Sequence, residues 1–404
     1  MGHRPIHAAE GLGHAVSAVT VGKRGQGKVV GEESPVKRIV LFAALSLLVL
    51  VASGQTLCAQ ASQRAEPKDP MEWFTRAADR LDIRNAGAAA FHLHATFHAY
   101  PGIDFSPPGQ STMTTGNGTY EEWWVSPEKW RREVTLGSYH AVEVTDAGVR
   151  KFQASADYEP SRVLMLLRAL QEPIAAHILH PDPEQKHAKW KAKHMDDNVL
   201  HRILVSNSAD KDGWGPGYQF LPDGTLVRLE DGGSGLVTTW RNQTEFAGKQ
   251  VPQHIAIGGE GLGREMLSAD VQIEALGKVD DAQFQLPGPA ADGSATLRPI
   301  ERSETKDLKI THYESPIAGT TYLELPPGVR IVVMAVVDRD GKVREAEVSG
   351  LQDSGMPLNR EQLASTEGEA QLFLHTVEKN HYHPAEIEGH PCELAMSISI
   401  RRGN

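Results

Sequence analysis

Apolar and polar residues alternate with a period of two through much of the chain. From residue 91, Phe91, Leu93, Ala95 and Phe97 interleave with His92, His94, Thr96 and His98, which predicts a strand with one apolar face. A short helix over 70–81 leads into it. Residues 119–125 and 129–136, separated by Ser126-Pro127-Glu128, read as a hairpin carrying Trp123, Trp124 and Trp130. Residues 141–145 and 149–154 read as another, turning at Asp146-Ala147-Gly148. Pro160 and Ser161 then open an apolar helix from Val163 to Leu170, and a second apolar patch spans Ile174 to Leu179. Both are too apolar to lie on a surface. Further hairpins turn at Pro222-Asp223-Gly224 and at Gly248, and strands continue to Ala275.

The C-terminal part changes pattern. Val329 to Val337 is β-branched and apolar, predicting a strand buried on one face and half buried on the other. Asp338-Arg339-Asp340-Gly341 supplies a turn, after which Ala346 and Val348 alternate with Glu345 and Glu347. Thr366 and Glu369 have capping-box spacing ahead of Ala370, Phe373, Leu374 and Val377, which share one helix face. Leu394, Met396, Ile398 and Ile400 then alternate with Glu393, Ala395, Ser397 and Ser399, a half-buried strand. The order is ββαβ. Between the two parts, residues 289–312 are rich in Gly, Pro, Ala and Ser and read as a linker.

Composition narrows the function. The chain has 404 residues, 23% charged and 40% hydrophobic, enough for two globular domains. A net charge of -11 without a basic face argues against a nucleic-acid partner. Lys37-Arg38, the apolar run Ile39 to Ala52 and Ala59-Gln60-Ala61 read as a signal peptide over 37–61, which places the protein in the periplasm. Uncleaved, the run would anchor it in the inner membrane. Residues 1–36 are a polar extension, of which 1–35 are untranslated if synthesis starts at Val36. Cys58 and Cys392 are the two cysteines, and the first lies in the removed segment, so no intrachain disulfide is expected.

Candidate chemistry is sparse. His92, His94 and His98 share a strand face and could meet a metal, but the row reads as a solvated outer face, and no metal or cofactor is assigned. His381, His383 and His390 lie in a turn-rich stretch and read as capping or solvated side chains. Gly258, Gly259, Gly261 and Gly263 lie between strands and read as a hairpin loop rather than a dinucleotide loop. Glu121 and Glu122 are adjacent on a strand and so point to opposite faces. There is no Gly-x-Ser-x-Gly, His-Glu-x-x-His or phosphate-loop motif, and no catalytic residue is assigned.

Two family resemblances bear on function. Gly328-Val329, Asp338 with Gly341-Lys342-Val343, Pro384-Ala385, and Gly389 with Pro391 resemble the C-terminal domain of TonB-family proteins, over residues 313–402. That resemblance implies docking of an outer-membrane receptor or other envelope protein by strand addition on Leu394, Ala395, Met396, Ser397, Ile398, Ser399 and Ile400. Residues 70–288 are similar to the LolA-like lipoprotein carriers, through Gly118-Thr119-Tyr120, Trp124, Ser126-Pro127, Asp146-Ala147-Gly148, Phe246-Ala247-Gly248-Lys249 and Phe284-Gln285-Leu286-Pro287. This implies an α+β chain: an antiparallel curved β half-barrel with plugging helices, followed by the small ββαβ domain. The ligand would be apolar, a lipid or acyl chain, and Phe91, Leu93, Phe97, Trp124, Trp130, Leu166 and Leu167 are the candidate cavity residues. The expected function is a non-enzymatic envelope protein linked to transport. The alternatives are an anchored TonB-type energy transducer and an envelope hydrolase.

Overall fold

The computed structural model describes residues 69–286 and 325–401, apart from 86, 104, 106–110, 180–190, 197–200, 207–215, 279, 327, 354–355, 383–384 and 388–389. The signal segment, the linker and the turn around Pro384 and Gly389 lie outside these residues. Arg64–Asn404 forms one compact unit that holds both sheets described below.

Twelve strands make the larger sheet: β1 (Phe91–Ala99), β2 (Gly116–Ser126), β3 (Lys129–Leu136), β4 (Tyr139–Asp146), β5 (Val149–Ala154), β6 (Lys191–Asp196), β7 (His201–Ser206), β8 (Gly217–Phe220), β9 (Leu226–Asp231), β10 (Leu236–Phe246), β11 (Lys249–Gly259) and β12 (Glu265–Ala275). Their order is β5-β4-β3-β2-β1-β12-β11-β10-β9-β8-β7-β6, every described pairing is antiparallel, and β5 and β6 do not meet. The sheet is therefore open. The tight turns are where the sequence places them: Ala147 and Gly148 take φ of 49° and 76°, and Ala247 and Gly248 take 49° and 79°.

An open sheet with one apolar face must cover that face. Here α1 (Pro70–Leu81), α2 (Ser161–Gln171) and the single turn α3 (Ala176–Leu179) do so. Trp73 of α1 stacks on His201 at 4.5 Å, and Phe74 meets Tyr218 and Phe220 edge-on at 5.0 and 5.5 Å. Val163, Leu166 and Ala169 of α2 join the same core as Phe91, Leu93 and Phe97 of β1.

The smaller sheet has the order β15-β14-β13-β18, from β13 (Val329–Val337), β14 (Val343–Asp353), β15 (Met356–Pro357) and β18 (Leu394–Arg401). Strands β16 (Ala385–Ile387) and β17 (His390–Cys392) form a separate ribbon. Helix α4 (Arg360–Lys379) packs Ala370, Phe373, Leu374 and Val377 on Ile331, Val333 and Ala335 of β13.

Two expectations need correction. Helix α4 starts at Arg360, not near Thr366, because the capping box is made by Asn359 and Gln362, each side chain bonded to the other's backbone N–H at 2.9 Å. Thr366 is interior to the helix and bonds back to the Gln362 carbonyl at 2.6 Å. Strand β13 is buried on both faces, not one and a half: Val332, Met334 and Val336 are as covered as the α4-facing row, because the other face of this sheet lies on the larger one.

Candidate binding site

Helix α2 begins without a cap of its own. Pro160 occupies the N-cap position and provides no side-chain bond, leaving the first N–H groups to find partners elsewhere. They find them on the smaller sheet. Glu345 Oε2 accepts the Ser161 N–H at 2.8 Å, its other oxygen accepts from the backbone and hydroxyl of Thr114 at 3.0 and 2.9 Å, and Glu393 accepts the Glu159 N–H at 2.9 and 3.0 Å. Carboxylates at a helix N-terminus also meet the positive end of its dipole. Arg162, on the first turn, forms a two-pronged pair with Glu347, one contact at 2.7 Å, and donates to the Tyr100 carbonyl at 3.1 and 3.3 Å. Both side chains of that pair are 0% exposed.

Strand β14 also meets the loops between strands of the larger sheet, through two backbone bonds and one side chain. Val348 N–H donates to the Ile103 carbonyl at 2.8 Å, Leu351 N–H to the Glu260 carbonyl at 3.1 Å, and Ser349 Oγ to the Ser234 carbonyl at 2.6 Å. Gly235 and Gly350 touch here: a Cβ on either would sit 2.9 Å from the other's Cα. Glycine at both positions permits this approach.

Burial pushes the Glu393 carboxyl up, with Glu345 and Asp157 adding to it, and the Glu159 N–H only partly offsets this; it stands at about 8. Glu393 therefore holds its proton to higher pH than an ordinary glutamate. Glu260, under the Leu351 contact, is raised to about 7 by burial and by Glu230.

Beside α2 lies an apolar cavity of about 110 Å³. Its walls are Leu164, Met165 and Ala169 of α2, Leu229, Leu236, Trp240 and Ile257 of the larger sheet, and Met334 with Ala395, Met396 and Ser397 of the smaller one. Arg168 and Asp231, paired at 3.1 Å, are polar members of the lining. Ser161 also belongs to the lining, and its hydroxyl is buried without a hydrogen-bond partner.

None of Phe91, Leu93, Phe97, Trp124, Trp130 and Leu166 lines this cavity; all are buried in the core, packed on one another and on the plug. Phe91 and Trp124 stack at 6.2 Å, and Arg132 sits 4.3 Å over the Trp130 ring. Leu167 is partly buried and lines a different, smaller void of about 30 Å³. The edge candidates fall on one strand: β18 pairs with β13 and, among the described residues, with no other strand. Ile398 is buried with the α4 cluster and Met396 and Ile400 pack against it, whereas Ala395, Ser397 and Ser399 are exposed.

The two adjacent glutamates do point to opposite faces. Glu122 lies inside, bonded by Arg84, Arg132 and the Tyr120 hydroxyl; burial pushes its carboxyl up, but the two guanidiniums and these bonds outweigh it and hold it at about 2. Glu121 lies outside, between His92 Nε2 and His94 Nδ1 at 2.6 Å each, while His92 stacks on Trp123 at 4.9 Å. His98 bonds Asn117 instead, at 2.7 Å. Cross-strand register supplies this carboxylate, which linear spacing does not show. Among the described residues no group of three or more His, Cys, Asp or Glu is arranged to hold a metal ion.

No protein-family model and no curated protein matches the chain. Solved structures similar to it include a LolA superfamily protein from Nitrosomonas europaea, 9% identical, covering 53% of this chain and 97% of that one with a TM-score of 0.29. A DUF1329 family protein from Desulfovibrio piger is 8% identical, covering 54% and 98% with a TM-score of 0.30. The putative outer membrane lipoprotein-sorting protein domain from Vibrio parahaemolyticus is 10% identical, covering 53% and 95% with a TM-score of 0.24.

Proposed function

We propose that this chain is a non-enzymatic binding protein of the cell envelope. The larger sheet takes an apolar or lipid ligand on the face its helices plug, and the smaller, TonB-like sheet docks an extended segment of an envelope partner on the edge of β18 that no strand among the described residues pairs with. The single observation that carries this reading is the coincidence of edge and cavity: Ala395, Met396 and Ser397 belong to both. An unpaired edge offers backbone donors and acceptors to an incoming strand, and apolar space beside it offers side-chain burial.

The cavity of about 110 Å³ sets the terms for a lipid. Small-molecule sites usually span roughly 300–1,000 Å³. A whole acyl chain therefore enters only when α2 leaves the sheet, and Phe91, Leu93, Phe97, Trp124, Trp130, Leu166 and Leu167 then become its walls. Glu345, Glu347 and Glu393 hold the N-terminal end of α2, and Trp240, Arg84 and Tyr120 hold its C-terminal end, so these are the contacts that ligand access has to break.

Native mass spectrometry of the protein isolated gently from its own cells tests the ligand half of this reading. A retained lipid mass supports it, and a fully processed, ligand-free mass from membranes rich in lipid counts against it. The same spectrum separates the exported protein, beginning near Ser62, from an anchored transducer that keeps residues 39–52.

A further inference from the structure

We infer that the cavity between α2 and β18 is an anchor pocket for one bulky apolar side chain of the docked strand, so that the partner is an extended peptide with a large apolar residue at a fixed position. The inference rests on the strand-docking reading and adds a specificity determinant to it. Two observations carry it.

The first is size. The cavity holds about 110 Å³, and an engineered apolar cavity of roughly 150 Å³ admits a benzene ring. That is the scale of one side chain, not of an acyl chain. The second is continuity. In β18 the larger residues Met396, Ile398 and Ile400 pack toward α4, while the small Ala395, Ser397 and Ser399 occupy the intervening positions and are exposed. Side chains on a strand added next to β18 alternate in the same way, so every second one faces the side on which Ala395 and Ser397 leave space.

The binding of labelled strand peptides to the full chain tests this by fluorescence anisotropy. The peptides share an alternating Thr/Val/Lys host and differ at one central guest position, Ala, Leu or Tyr. The expected result is that the Leu and Tyr guests bind at least tenfold more tightly than the Ala guest. Ser397→Trp, which fills the cavity mouth from an exposed position, should abolish that preference. Equal binding of all guests overturns the anchor pocket and leaves strand docking standing. No binding by any peptide overturns docking itself, and the anchor pocket with it. A fluorescent long-chain fatty acid that binds in place of the peptides, and is displaced by Ser397→Trp, assigns the cavity to lipid and also overturns the inference.

Discussion

Replacing Glu347 by Leu leaves the Arg162 guanidinium buried without its bonded counter-charge, with only the Glu345 carboxylate acting on it from farther away. In the native protein that guanidinium makes two charge-assisted bonds to Glu347 and two to the Tyr100 carbonyl, with both partners of the pair 0% exposed. Breaking a buried pair by removing one partner typically costs about 3–5 kcal/mol. In urea this moves the unfolding midpoint down by about 1 M or more, since m-values run to roughly 3 kcal/mol/M. The double variant Arg162→Met/Glu347→Leu removes both charges and should recover much of the loss. It still strips the Tyr100 carbonyl of its donors, a residual cost of about 1–3 kcal/mol. Urea titration by circular dichroism of the two single variants and the double variant gives the full cycle. A Glu347→Leu loss below about 1 kcal/mol, or a double variant no more stable than Glu347→Leu, refutes the claim that this pair holds α2 to the smaller sheet.

The same substitution tests ligand access: with α2 loosened, Glu347→Leu should take up a fluorescent fatty acid faster than the parent chain in stopped-flow mixing. Glu393 gives a pH signature. Its carboxyl is raised from 4.5 to about 8, so the folded protein holds a proton that the unfolded chain releases, and stability falls as pH climbs between those values. In Glu393→Gln that contribution disappears, and the stability difference between variant and parent should shift toward the variant from pH 5 to pH 9 in thermal melts. Asn359→Ala removes the cap of α4 and should cost about 1 kcal/mol in urea unfolding, whereas Thr366→Ala should show no capping effect on α4 fraying by hydrogen exchange.

Period-two alternation was enough to place most of the strands because each buries one face against the plug or against α4. The same rule misread what covers the opposite face. Glu345 and Glu347 alternate with Ala346 and Val348 as solvent-facing residues would, yet they are 1% and 0% exposed because α2 sits over them. A period names two faces and not their neighbours. The cavity beside α2 is not legible from the large residues: Phe91, Trp124 and Leu166 pack in the core, and large side chains fill space rather than leave it. The signal in the sequence was instead the small Ala395, Ser397 and Ser399 between the large residues of the last strand. The trans-capping of α2 had one local clue, Pro160 where a Ser or Asp would cap, but its partners lie more than 180 residues away.

The central claim, that β18 is a docking edge beside an apolar pocket, is tested most directly by hydrogen–deuterium exchange of the full chain with and without the Leu-guest strand peptide. The account predicts new protection across Leu394–Arg401, extending to the α2 segment that lines the cavity, with little change at β5 or β6. Protection confined to β5 or β6, or none on β18 at saturating peptide, contradicts it.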